Sequence, residues 1–112
     1  MTDEQPEPAQ WTASSRTGAI TVRTTDQGLP LGVSLEAAEL RRDPYALAAD
    51  IMRLCRQASN RAALARRAEF EQAGVAEEMI NLMGLPTPEE VARQEALEEQ
   101  DESEPQSWLR QV

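Results

Sequence analysis

Between Gly18 and Glu36 the chain alternates. Ile20, Val22 and Thr24 are set off by Thr21, Arg23 and Thr25, the period of two that a half-buried strand requires. Asp26-Gln27-Gly28 supplies turn chemistry, and Leu31, Val33 and Leu35 then alternate with Gly32, Ser34 and Glu36. The pattern predicts a β-hairpin, with Trp11–Ser15 as a third, edge strand. Three antiparallel strands with one apolar face need a cover on that face. At Asp43 the period changes. Asp43 can cap a helix, Pro44 suits its first position, and Gly74 its end. Between them Leu47, Ile51, Leu54, Ala58, Ala62 and Ala65 recur three or four residues apart, which is one face of a single long helix.

The helix is longer than the sheet it is predicted to cover. About 30 residues of helix span ~45 Å, whereas about seven residues of strand span ~23 Å. The overhang begins near Ala58, where the apolar face turns to alanine. Small residues admit a second helix, so Leu54, Ala58, Ala62 and Ala65 are the expected dimer interface. The alternative is an alanine face that simply meets water. A short helix over Val75–Gly84 then gathers Met79, Ile80, Leu82 and Met83, which need cover from the same sheet or from a partner. Beyond Pro86, Thr87 can cap, Pro88 fits the first helical position, and Glu90 completes a capping box. The helix so launched has only Val91, Ala92, Ala96 and Leu97 as apolar positions. Three roles are open to it: solubilising surface, a shield over basic residues, or a preformed docking element. The expected partner-binding set is Met79, Ile80, Leu82, Met83, Leu85, Val91 and Leu97, with Trp108 and Leu109 from the polar tail.

Composition narrows the range of functions. Of the 112 residues, the first ten are acidic and proline-bearing and the chain turns acidic again from Glu98; both ends have the composition of disorder. The expected organisation is a disordered 1–10, an α+β domain over 11–84 and an acidic helical or disordered tail over 85–112. A core of about 75 residues is marginal alone, which favours partner subunits. No apolar run approaches the ~20 residues of a membrane span. The acidic N-terminus lacks the features of a secretory signal, and Cys55 is the single cysteine, so a cytoplasmic location is expected. Histidine is absent, which removes the commonest general base and metal ligand. Cys55, beside Leu54, reads as a small buried hydrophobe. The paired glutamates are neighbours in solvated runs, and no glycine loop cradles a phosphate. No catalytic residue, metal or cofactor is expected.

The net charge of −9 is unevenly spread. Residues 12–68 carry nine arginines against five acids, and residues 69–112 carry twelve acids against two arginines. Arg41, Arg42, Arg53 and Arg56 form a candidate DNA-binding set, with Arg61, Arg66 and Arg67 further along the helix. The competing reading pairs these arginines with the many acids of the same chain. Aromatic stacking partners are scarce, with one Phe, one Tyr and two Trp.

The run GAITVRTTDQGLPLGVSLE followed by LAADIMRLCRQASNRA resembles the YbaB/EbfC-like fold, an antiparallel sheet followed by a long helix and commonly dimeric. Trp11 to Glu98 resembles more closely the EspD/EspH-type proteins of ESX, or type VII, secretion in mycobacteria and relatives. The most specific marker is GLPTPEEVARQEALEE. Val91 stands where alanine is usual, the N-terminal tail is shorter than in that family, and the leading helix of YbaB proteins is missing. A type VII export signal is not found, since Tyr45 is followed by Asp50 at five positions rather than four. The resemblance implies a homodimeric cytosolic chaperone or adaptor whose clients are secreted ESX substrates. The broader YbaB resemblance implies, as the alternative, a nucleoid-type DNA-binding dimer.

Overall fold

The computed structural model describes residues 10–103. Three strands, β1 (Trp11–Ser14), β2 (Ile20–Thr24) and β3 (Pro30–Leu35), precede a 3-10 stretch at Ala37–Arg41. Three helices follow: α1 (Pro44–Gln72), α2 (Glu77–Leu82) and α3 (Pro88–Ser103). The fold is α+β, as the periodicity predicts. The strands form one antiparallel sheet in the order β1-β2-β3, so β2 is central and both neighbours are edges. Pairing matches Ala13 to Val22 and Val22 to Val33, with Ile20 opposite Leu35, so these apolar side chains share one face.

The start of α1 follows from its first residues. The Asp43 carboxylate accepts a hydrogen bond from the Ala46 N–H at 2.9 Å, and Pro44 occupies the first turn, where its missing N–H costs nothing. The helix ends at Gln72, and Gly74 with φ +84° turns the chain out of it. Leu54, Cys55 and Ala58 of α1 pack on Ala13, Ile20 and Val22, flanked by Trp11, Leu35, Leu47 and Ile51. This is the core.

Two expectations are corrected by this packing. Leu54, Ala58 and Ala62 are buried within the single chain, Ala62 retaining 3% of its surface, and Ala65 is half-buried. Leu54, Ala58 and Ala62 therefore have no surface left for a second copy, while Ala65 keeps part of its own. The small residues let the chain's own sheet come close instead: Ala58 sits in the core with Ala13, and the next turn donates from Arg61 to the Thr12 carbonyl at 3.2 Å. The overhang past Ala62 is met by α2 and the turn into α3, which Arg67 gathers. The second correction concerns cover. Helix α1 lies over β1 and β2 and leaves β3 largely open, so Val33 stays 41% exposed on the face it shares with buried Val22.

Arg67 explains how α2 and α3 are placed. It is buried, and donates to the Leu85 carbonyl at 2.9 Å, the Asn81 side-chain oxygen at 3.0 Å and Glu71 at 3.3 Å. A guanidinium taken out of water needs several acceptors, and these come from the α1 end, α2 and the α2–α3 turn. From there α3 runs back antiparallel to α1, with Gln94 meeting Asn60 and Glu98 meeting Arg56. Val91 is the one apolar α3 residue that is buried.

Candidate functional site

The two flanks of α1 differ. One faces the β2–β3 turn, where Ser59 packs on Gly28 and Arg66 pairs with Asp26. A Cβ on Gly28 would lie 3.0 Å from the Ser59 Cβ, which fixes how closely helix and turn approach. Met52 lies two turns before Ser59 and so on the same flank. It is 58% exposed, and Leu29, Leu31 and Val33 of the neighbouring hairpin arm are exposed with it. Residues 29–35 carry no charge, and β3 is an edge whose outer backbone groups have no strand partner in the sheet. Edge strands are ordinarily guarded by charge, by proline or by bulges; β3 has Pro30 at its head and a register shift opposite Thr24, but no charge. The 3-10 stretch adds exposed Leu40, and the start of α1 adds Tyr45. Periodicity identified Leu31 and Val33 as inward-facing but could not show that α1 passes them by.

A second apolar surface lies on α2. Met79, Leu82 and Met83 are exposed, Leu82 by 82%, and Leu97 of α3 is exposed as well. Leu85 is half-buried. Ile80 and Val91, expected to bind a partner, are instead buried inside the chain and are withdrawn from that set. Both are covered within the chain, where α2 and α3 each lie against α1. Trp108 and Leu109 lie outside the described residues.

The other flank of α1 is basic and takes α3. Arg56 pairs with Glu98 at 3.1 Å, and Arg16, in the β1–β2 turn, pairs with Glu99 at 3.0 Å. Arg42 bridges Glu39 and Asp50 at 2.7 and 2.8 Å, and Arg53 contacts Asp50 at 3.4 Å. Hydrogen bonds to Glu39 and then Asp50 push the Arg42 guanidinium above its ordinary pKa. Of the candidate DNA-binding set, Arg42, Arg53 and Arg56 thus contact acids of their own chain, while Arg41 is exposed. Arg67 is no part of a surface stripe. Between β1, α1 and α3 remains a cleft of about 410 Å³ lined by Arg16, Arg53, Arg61, Glu95 and Glu99 among others. Arg16 escaped the sequence reading because nothing local ties a hairpin turn to a helix 80 residues later.

Cys55 is buried, and burial pushes its thiol pKa up, away from the reactive thiolate. Among the described residues no group of three or more acidic or cysteine side chains is placed to hold a metal ion, and no helix is long and apolar enough to cross a membrane. Compared with models of known protein families, with curated proteins and with solved structures, the chain finds no match.

Proposed function

We propose that the chain is a non-enzymatic, homodimeric binding protein that works in the cytoplasm as an accessory chaperone or adaptor of type VII secretion. The observation that carries the reading is the exposed, methionine-bearing surface of Met79, Leu82 and Met83. Flexible thioethers adapt to more than one apolar helix, which suits a protein that shelters secreted substrates. The resemblance of GLPTPEEVARQEALEE to the secretion-associated family points the same way. The dimer is assigned to the flank of β3 and Met52 rather than to the alanines of α1. A twofold axis would pair an uncharged edge with itself, and an apolar face left open by α1 would be closed by its copy.

DNA binding ranks lower, because Arg42 and Arg53 of its set contact Glu39 and Asp50, and a net charge of −9 repels phosphate. The test is co-expression with a helical-hairpin substrate of the type VII system. Leu82→Glu with Met83→Glu is expected to abolish co-purification while the oligomeric mass is kept. Undiminished co-purification would count against the reading.

A further inference from the structure

Helix α3 is anchored differently along its length. Its first half is held by the Thr87–Glu90 capping box, by buried Val91 and by the Asn60–Gln94 hydrogen bond at 3.3 Å. Its second half, from Glu95, meets the body of the protein through charge. The described pairs there are Arg56–Glu98 and Arg16–Glu99, and both guanidinium groups are at least half exposed. The Arg16–Glu99 pair is exposed on both sides and of the kind that is weak and screened by salt, whereas in Arg56–Glu98 only the arginine is exposed. The closed position is also imperfect. Glu95 Oε2 and Glu98 Oε1 are buried without a hydrogen-bond partner among the described residues, an arrangement that costs stability. Leu97 is exposed, and Ala96 is the small apolar side chain that this half turns to the cleft. Beside it, Arg16, Arg53 and Arg61 line a cleft of about 410 Å³ whose other wall is α3 itself, through Ala92, Glu95, Ala96 and Glu99.

We infer that the second half of α3 is a releasable acidic cover, and that the basic surface it covers, centred on Arg16 and Arg56, is a docking site for an acidic polypeptide segment. Helix α3 itself shows the chemistry the surface accepts: carboxylates on a helical frame, set against Arg16 and Arg56. An external segment of that kind competes for the same guanidinium groups, and the anchored first half keeps the cover tethered while it is displaced. Among the described residues the lining of the cleft carries no aromatic side chain, which disfavours single-stranded nucleic acid, whose bases need stacking platforms. This surface is on the opposite flank of α1 from β3, so its occupation does not depend on the proposed dimer.

The test uses the full chain and fluorescein-labelled poly-L-glutamate, read by anisotropy at low salt. Glu98→Gln with Glu99→Gln is expected to bind the probe about fivefold more tightly than the wild-type chain. Adding Arg16→Gln and Arg56→Gln should remove that gain. Glu78→Gln with Glu89→Gln, exposed acids away from the cleft, changes net charge equally and should behave as wild type. Equal affinity of the two glutamine pairs, or a gain that survives loss of the arginines, would overturn the inference. A larger gain for a single-stranded oligonucleotide than for poly-L-glutamate would overturn the assignment of the ligand. In the wild-type chain, raising salt to ~0.5 M should speed amide exchange over residues 95–103 while 91–94 stay protected. Uniform protection of α3 at both salt concentrations would contradict a releasable cover.

Discussion

Arg67 holds more of the fold than any other polar residue. Its neighbours Glu71 and Glu77 are exposed, so losing the guanidinium strands no buried charge; what is lost is the bonding of Asn81 and the Leu85 carbonyl. Arg67→Met is therefore expected to destabilise by about 2 kcal/mol, at the lower end for a buried charged network. A lower urea midpoint at unchanged slope checks it. Arg67→Lys should recover little, because one ammonium cannot reach acceptors on both α2 and the turn. Glu90 offers a pH test. The Thr87 backbone N–H donates to its carboxylate at 2.9 Å and holds its pKa below the ordinary carboxylate value, and the Thr87 hydroxyl returns a bond to the Glu90 N–H at 3.1 Å. With the folded-state pKa lowered, the stabilising contribution is present above the unfolded value and is lost as pH falls through the depressed one. An NMR titration of Glu90 should give a midpoint below the usual ~4.3; a midpoint at or above it would contradict the geometry. The capping box itself was legible in Thr87, Pro88 and Glu90. Arg67 was not, because its spacing from Arg53 and Arg56 suits a surface stripe as well as a buried anchor.

At the scale of elements, periodicity and caps were sufficient to place every strand and helix except the 3-10 stretch at Ala37–Arg41, which has no buried residue and hence no apolar pattern to reveal it. The neighbours of α1 were less legible. Alanine at 58 and 62 fits against a sheet or against a helix, and sequence spacing cannot tell a helix that centres on β2 from one displaced toward β1. The close approach of α1 to the turn at Gly28 is one contact on this side of the helix, and it can be tested. With φ at +86°, Gly28→Ala is expected to cost about 1–2 kcal/mol from backbone strain alone, and its Cβ would crowd the Ser59 Cβ at 3.0 Å, inside ordinary contact distance. Adding Ser59→Gly should relieve the crowding and leave the backbone part. Chemical denaturation of the two variants separates the contributions; full rescue by Ser59→Gly would show that conformation at Gly28 matters less than contact.

At the scale of the molecule, the chain presents an acidic helix on one flank of α1 and an uncharged, half-covered sheet edge on the other. The acidic helix answers the puzzle posed by its own sequence: it is carefully capped because it docks, through Val91 and a line of polar pairs, on the basic flank of α1. The open edge remains the feature that a small isolated domain would not ordinarily keep, and it carries the dimer proposal. Size-exclusion chromatography with light scattering, at micromolar concentration, addresses that proposal most directly. The account predicts a mass about twice the 12.4 kDa chain for the wild type, falling to that of one chain in Val33→Lys with helical content unchanged. A wild-type mass of 12.4 kDa across the concentration range, or a dimer indifferent to Val33→Lys, would contradict it.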